Sequence, residues 1–163
     1  ENPGNGKNPG NGGNPGNGES QAPFAKGKIF TISNVTYKVT KVGKEVELTK
    51  SKSSATKVTI NTVTGTDGVK YKVTSIGPKA MQNNKKITSL TIGANVKTIG
   101  KSAFNGCKKL GKVKIQSTKL RSIGKQAFKG TKSSLKVKVP SKQFTKYKKI
   151  LKKAGLKVKQ VTK

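Results

Sequence analysis

The side chains that most often carry out catalysis and metal binding are scarce in this sequence. Its 163 residues contain no His and a single Cys, Cys107. Histidine is the commonest general base and metal ligand, so a cysteine nucleophile here lacks its usual activating partner. The flanking Lys108 and Lys109 favour a lowered pKa for the Cys107 thiol. One cysteine can form neither an internal disulfide nor a cysteine-based zinc site.

Carboxylates are equally few. The chain has 5 Asp and Glu residues, and only Glu45, Glu47 and Asp67 lie beyond the first 20 positions. They do not form an acidic loop of the kind that holds hard cations, and no phosphate loop ending in Gly-Lys-Ser/Thr occurs. We therefore expect a protein that is not an enzyme and that has no cofactor and no metal site.

The charge is strongly basic. The chain has 36 Lys and Arg residues and a formal net charge of +31, and Arg121 is its one arginine. Such a chain attracts polyanions nonspecifically at low salt. Specific nucleic-acid recognition favours arginine contacts, stacking aromatics and known motifs. This chain has one Arg, most of its 8 aromatic residues fall at core-like positions, and no helix-turn-helix, RNP or zinc-finger pattern occurs. We expect no specific nucleic-acid partner, and nonspecific nucleic-acid binding stays an alternative.

A repeat of 23 to 24 residues organises the centre of the chain. Ile76-Gly77 recurs as Ile99-Gly100 and as Ile123-Gly124. Each pair is followed by alanine and a large apolar residue, in Ala80-Met81, Ala103-Phe104 and Ala127-Phe128. The recurring glycine predicts a positive φ or a close backbone approach. Because one unit cannot bury its apolar edge alone, the units must stack into a solenoid.

A further position of the repeat holds Asn84, Cys107 and Thr131 in successive units. A position that accepts these three side chains is typical of a small residue that hydrogen-bonds to the backbone. We therefore interpret Cys107 as structural rather than catalytic.

Each unit ends in an alternating strand, at residues 89–92, 112–115 and 136–139. Upstream, alternation over residues 35–42 and 45–48 around Gly43-Lys44 predicts a β-hairpin. We assign residues 29–75 to a β-rich N-terminal cap that merges with the first coil, and residues 73–140 to three repeats. Downstream, Pro140 ends the last strand and Ser141 is placed to cap a helix over residues 141–155. The apolar face of this helix would cover the open end of the solenoid.

The N-terminal tract differs from the rest. Residues 2–19 form three Asn-Pro-Gly-Asn-Gly-x hexads with no apolar side chain except proline. This composition predicts a disordered linker over residues 1–23, followed by one folded domain over residues 24–163. Because the sequence begins with Glu1, we expect a fragment of a longer protein that the linker tethers. The alternative is a mature N-terminus left after signal removal.

The repeat resembles that of the BspA-like bacterial leucine-rich repeat family, whose pattern is close to L-x-x-V-x-I-P-x-x-V-x-x-I-G-x-x-A-F-x-x-C. The sequence departs from it at Met81, where Phe is usual, and at Asn84 and Thr131, where Cys is usual. The resemblance implies a β-rich α/β repeat solenoid of short parallel strands, with an N-terminal hairpin cap and a C-terminal capping helix. It also implies a secreted or cell-surface bacterial protein associated with adhesion and with binding of host or cell-wall components.

The outward positions of the repeat strands are the candidate ligand-binding site. If the apolar strand residues face the core, the alternate residues face solvent, and these are Ser89, Thr91, Lys112, Lys114, Lys136 and Lys138. Stacking would place Lys112 beside Lys136 and Lys114 beside Lys138. Like charges opposite one another on a sheet cost roughly a few tenths of a kcal/mol, a repulsion that an anionic partner reverses.

We therefore expect a monomeric adhesion or binding module for a protein or for an anionic polysaccharide or cell-wall polymer. Three alternatives stay open: a lysine surface that only keeps the protein soluble, a spacer module without a ligand, and a C-terminal helix that lies on a membrane surface. No run of 18 apolar residues occurs, so we expect no membrane insertion.

Overall fold

Stacked coils make up most of the protein in the computed structural model, which describes residues 22–163. The predicted linker therefore lies, except for its last two residues, outside the described residues. The elements in chain order are β1 (Ile29–Ile32), β2 (Val35–Lys41), β3 (Glu45–Ser51), β4 (Lys57–Ile60), β5 (Thr62–Thr64), β6 (Lys70–Ile76), β7 (Ser89–Ile92), β8 (Thr98–Ile99), β9 (Lys112–Ile115), β10 (Ser122–Ile123), β11 (Lys136–Lys138), α1 (Phe144–Lys153) and β12 (Val161–Thr162).

The first sheet carries the strands predicted from the repeat. Its order is β4-β7-β9-β11-β12, and all neighbours are parallel. Apolar residues such as Leu90 and Val113 are buried in it, while their polar neighbours along the strands point outward. We predicted that β4 belongs to the N-terminal cap, but it is the first strand of this sheet.

The second sheet runs β1-β2-β3-β6-β8-β10, with β5 paired to β6. The hairpin predicted from alternation is confirmed, since β2 and β3 are antiparallel and turn at Gly43, whose φ is 61°. From β3 onward the neighbours β6, β8 and β10 are parallel. The sheet thus changes from a hairpin cap into the second wall of the solenoid.

Each coil passes from the second sheet toward the first through a turn that follows the Ile-Gly pair. The third residue of this turn has a positive φ in each of the three repeats, at Lys79, Ser102 and Gln126. Pro78 precedes Lys79, and proline followed by a residue with positive φ is typical of a type II turn. Successive coils are joined here by backbone hydrogen bonds such as Met81 N–H to Ala103 C=O at 2.8 Å.

Close backbone approach explains the glycine of the Ile-Gly pair. A Cβ atom on Gly100 would lie 2.4 Å from the backbone nitrogen of Pro78, and one on Gly124 would lie 2.3 Å from that of Lys101. Neither glycine has a positive φ. The sequence predicted either a positive φ or a close backbone approach at this glycine, and the structure shows that close approach between coils is the reason.

The C-terminal cap is a helix, as predicted, but it begins differently. A 3-10 turn over Ser141–Gln143 leads into α1, and no side chain caps either one. The prediction that Ser141 is an N-cap is wrong, because this residue lies inside the 3-10 turn. Tyr147 is fully buried, and its hydroxyl donates to Ser117 C=O at 2.9 Å and accepts from Leu120 N–H at 3.0 Å. α1 therefore packs its apolar face into the last coil.

The N-terminal cap is held by a buried carboxylate. Asp67 is 4% exposed and accepts hydrogen bonds from the Tyr71 hydroxyl at 2.5 Å, from Phe24 N–H at 2.9 Å and from Val69 N–H at 3.1 Å. Burial by itself would raise the pKa of this carboxyl, but the three hydrogen bonds outweigh it and hold the pKa below its ordinary value. Phe24 packs against Phe30 with ring centroids 5.1 Å apart.

We predict that Gly100→Ala lowers the free energy of unfolding by about 2 kcal/mol or more, because the coils cannot separate without losing their backbone hydrogen bonds. Gly111→Ala is the matched control, since a Cβ atom there would meet nothing nearer than 3.6 Å. Urea denaturation of both variants checks this. Equal stability of the two variants would contradict the close-approach explanation.

We predict that acid destabilises the cap through Asp67. Its folded pKa is depressed, so its contribution is complete above the pKa of the unfolded chain, about 3.9, and is lost as the pH falls through the folded value. Asp67→Asn should lower stability at neutral pH and flatten this acidic dependence. Glu47→Gln is the control, because that carboxylate is only partly buried and accepts one side-chain hydrogen bond, from Ser75. Urea denaturation as a function of pH measures both, and an unchanged pH profile for Asp67→Asn would contradict the prediction.

Candidate ligand-binding face

The outward residues of the first sheet form two columns that run across the strands. In the register of β9 and β11, Lys112 pairs with Lys136 and Lys114 pairs with Lys138. All four side chains are exposed. The predicted side-by-side placement of these lysines is confirmed. We call these four residues the lysine quartet.

The columns continue into a region of hydroxyl side chains. Ser89 pairs with Lys112 and Thr91 pairs with Lys114. On the far side of β7, Lys57 pairs with Ser89 and Thr59 with Thr91. The face is therefore basic toward its C-terminal end and mainly hydroxylated toward its N-terminal end.

The six residues predicted from the sequence all line one shallow depression of about 890 Å³. Sequence reasoning missed several other residues of its lining, which include Lys57, Thr88, Lys109, Lys132, Ser134 and Thr162. The alternation of Lys57-Val58-Thr59-Ile60 matches that of the repeat strands and was the available signal for Lys57. The loop lysines carried no such signal, because only the stacking of coils brings loops beside the strands.

No carboxylate lines this depression. Within residues 22–163, the one ion pair joins Lys97 to Glu45 at 3.0 Å. Glu47 accepts a hydrogen bond from Ser75 at 3.1 Å. The acidic residues therefore lie in the cap and along β3. The positive charges of the lysine quartet repel one another, and no acidic side chain in the depression offsets that repulsion. We call this lysine-rich side of the first sheet the strand face.

Cys107 is not a reactive centre. The residue is 0% exposed, and its thiol donates a hydrogen bond to Met81 C=O at 3.1 Å. Burial raises the pKa of the thiol to about 11, against a smaller lowering by the backbone N–H of Asn84. The expectation that Lys108 and Lys109 lower this pKa is wrong, because the thiol points into the solenoid.

The predicted role of the Cys107 position in the repeat is confirmed in each coil. The Asn84 side chain donates to Ser53 C=O at 3.1 Å, and the Thr131 hydroxyl donates to Phe128 C=O at 2.9 Å. Three different side chains thus satisfy a backbone carbonyl, which lies 31 and 26 residues upstream for Asn84 and Cys107 but only 3 residues upstream, in the same coil, for Thr131. Cys107 belongs to the scaffold.

We also searched the described part of the chain for metal sites and for membrane-spanning helices. Among residues 22–163, no group of three or more His, Cys, Asp and Glu side chains is placed to hold a metal ion. In the same part of the chain, no helix has both the length and the apolar composition needed to cross a lipid bilayer.

Comparison with known proteins matches this architecture. A family model described as the BspA type leucine-rich repeat region matches residues 31–155 in six copies, against three units found by comparing the chain with itself. A leucine-rich cell surface protein from Faecalibacterium prausnitzii is 29% identical, with a TM-score of 0.58 over 68% of this chain and 30% of that protein. A leucine-rich repeat protein from Bacteroides capillosus is 29% identical, with a TM-score of 0.58 over 69% of this chain and 83% of that one. No curated protein matches the sequence.

We predict that the Cys107 thiol of the folded protein reacts with iodoacetamide far more slowly than that of the unfolded chain at about pH 8, because it is buried and protonated. Cys107→Ser should leave polyanion binding unchanged and the melting temperature nearly so, since a hydroxyl can make the same hydrogen bond. Mass spectrometry of the labelled protein measures the rates. Equal labelling of folded and urea-unfolded protein would contradict a structural role.

Proposed function

Because the chain belongs to the BspA-type leucine-rich repeat family, we propose that it is a non-catalytic binding module of a bacterial surface protein, and that its strand face contacts anionic polymers. The matched repeats span most of the chain, residues 31–155. A cell-surface location is supported by the relative from F. prausnitzii, which is described as a cell surface protein and of which the chain spans 30%. A binding role agrees with a buried, protonated Cys107 and with a sequence that has no histidine.

The observation that carries the proposal is the pairing of Lys112 with Lys136 and of Lys114 with Lys138. Each pair places two positive charges on neighbouring strands, which lie about 4.8 Å apart. This arrangement destabilises the sheet by roughly a few tenths of a kcal/mol for each pair in the free protein. An anionic group between the two lysines converts the repulsion into two attractions, so the face favours ligands with closely spaced negative charges.

The chemistry of the face suggests the class of polymer. Phosphate, sulfate or carboxylate groups repeated along a chain would follow the lysine columns across the strands. The hydroxyls of Ser89 and Thr91 offer hydrogen bonds to neutral sugar or polyol groups further along the same polymer. Anionic polysaccharides and phosphate-containing wall polymers combine both kinds of group. We propose that one monomer, with residues 24–163 folded as one domain, presents this face.

The contact would be multivalent and individually weak. Exposed lysines are screened at physiological salt, where the Debye length is about 8 Å. Several of them must act together to bind, and the affinity should fall steeply as the salt concentration rises. An affinity that stays flat between low and high salt would show that the proposed mechanism is wrong.

The test replaces the lysine quartet with serine and compares it with a charge-matched control. The control replaces four exposed lysines of the C-terminal helical segment with serine, at Lys142, Lys146, Lys149 and Lys152. We predict that the quartet variant binds heparin or a teichoic acid about tenfold more weakly than the control variant, because both have lost the same net charge and only one has lost the columns.

Calorimetric titration of both variants at physiological salt measures the difference, and melting curves verify that both are folded. Equal losses would reject a localised site and leave only a general attraction of polyanions. Absence of binding by the unmodified protein at physiological salt would favour the spacer module. Equal binding of single-stranded DNA and of wall polymers would favour nonspecific nucleic-acid attraction.

A further inference from the structure

The last coil leaves backbone groups unpaired at one edge of the second sheet. In earlier coils, Ile76 C=O accepts from Gly100 N–H at 2.7 Å, and Ile99 C=O accepts from Gly124 N–H at 2.8 Å. The equivalent carbonyl of Ile123 has no hydrogen-bond partner among residues 22–163. No further coil follows, so β10 is the terminal strand of its sheet, and within residues 22–163 it pairs with β8 alone.

A backbone donor beside it is also free. Lys79 N–H donates to Lys101 C=O at 2.9 Å, and Ser102 N–H donates to Lys125 C=O at 3.1 Å. The equivalent N–H of Gln126 has no partner in the described part of the chain. The Ile123 carbonyl and the Gln126 amide therefore present one acceptor and one donor in the register that joins the three repeat coils to one another.

The capping helix covers only part of this end. Ala154 C=O, at the end of α1, accepts from Phe128 N–H at 3.1 Å and so completes one hydrogen bond of the missing coil. α1 also packs beside β10, but within residues 22–163 no backbone group hydrogen-bonds to the outer edge of this strand. The side chain of Ile123 is accordingly only half-buried, whereas the equivalent Ile76 and Ile99 are 1% and 2% exposed.

The unpaired edge of β10 lies in a groove of about 570 Å³. The groove is lined by Ile123, Lys125, Gln126, Lys129, Lys153 and Gly155. Three of these six residues are lysines, and no acidic residue lies among them. The groove thus combines an apolar patch, unpaired backbone groups and positive charge.

We propose that this groove binds an extended acidic segment of a partner protein, which adds one parallel strand beside β10 and takes the place of the missing coil. Such addition of a strand to an open sheet edge is a common mode of peptide recognition, in which the backbone supplies the hydrogen bonds and the side chains the specificity. This surface is separate from the strand face, so the proposal goes beyond the proposed function.

The repeat geometry also specifies the sequence that fits. Gly100 donates to Ile76, and the next residue, Lys101, accepts from Lys79, so two consecutive residues make both bonds. A Cβ atom on Gly100 would lie 2.4 Å from the Pro78 nitrogen, so the first of the two must be glycine. We expect a partner segment in which an apolar residue and glycine precede acidic residues that face Lys125, Lys129 and Lys153.

The charge argues against other occupants. A second copy that docked symmetrically through the same edge would bring the same lysines together and be repelled. A polysaccharide has no peptide backbone with which to pair the Ile123 carbonyl and the Gln126 amide. An acidic peptide satisfies the backbone groups and the lysines together.

The probe is a short end-blocked peptide that carries Ile-Gly followed by Asp and Glu, labelled with fluorescein and titrated against the full chain. Two control peptides keep the charge: one replaces the glycine with alanine, and the other carries an N-methyl group on the glycine nitrogen. We expect each control to bind about tenfold more weakly, because one clashes with the backbone and the other cannot donate to Ile123.

Two protein variants separate this groove from the strand face. Lys125→Ser combined with Lys129→Ser should weaken binding of the acidic peptide about tenfold, while serine at Lys142 and Lys146 should leave it nearly unchanged. Replacing the lysine quartet with serine should also leave peptide binding nearly unchanged. The proposed function and this inference can therefore fail independently.

Amide hydrogen exchange distinguishes strand addition from charge attraction alone, because charge attraction does not give the Gln126 amide a hydrogen-bond acceptor. On peptide binding, the amide of Gln126 should exchange more slowly, because it gains an acceptor. Equal binding of all three peptides, or unchanged exchange at Gln126, would overturn strand addition. Dimerisation of the chain through β10, or tighter peptide binding after removal of residues 1–21, would assign the groove to another occupant and overturn the proposal as well.

Discussion

Direct contact between the backbones of successive coils is the constraint on which the rest of the structure depends. Gly124 N–H donates to Ile99 C=O at 2.8 Å, and a Cβ atom on the same glycine would lie 2.3 Å from Lys101 N. The approach that allows the hydrogen bond therefore excludes any side chain. It also brings equivalent apolar residues together, as in the Phe104 and Phe128 rings, whose centroids are 5.2 Å apart. The repeat recurs in the sequence because each coil must match its neighbour.

A solenoid built in this way has two ends that no coil completes, and at each end a buried polar side chain bonds to groups of the cap. In the N-terminal cap, the Asp67 carboxylate accepts three hydrogen bonds. Under the C-terminal helix, the Tyr147 hydroxyl forms hydrogen bonds with two backbone groups. In the middle of the stack, the next coil supplies these partners. The C-terminal cap is the less complete of the two, since it leaves Ile123 at an open edge.

The charge of the protein is carried by positions that the stacking leaves free. Inward residues of the strands are apolar, whereas the outward residues have no packing role and can hold lysine, as at Lys112 and Lys114. The net charge of +31 therefore bears on the partners of the protein and not on its fold. Because lysine recurs at the same positions of β9 and β11, part of this basic composition is ordered into two columns.

The sequence alone determined the repeat, the strand alternation, the lysine register and the structural role of Cys107, because these follow from local periodicity and from equivalent positions in successive units. Only the tertiary structure decided that β4 joins the first sheet, that Ser141 lies in a 3-10 turn, that the thiol pKa rises, and that the outer edge of β10 has no paired strand. Each of these depends on which distant groups meet or fail to meet at the boundaries of the stack. The periodicity of the sequence specifies which residues and backbone groups of one coil contact the next coil. At the ends of the stack no further coil is present, so the contacts there depend on how the caps pack in three dimensions.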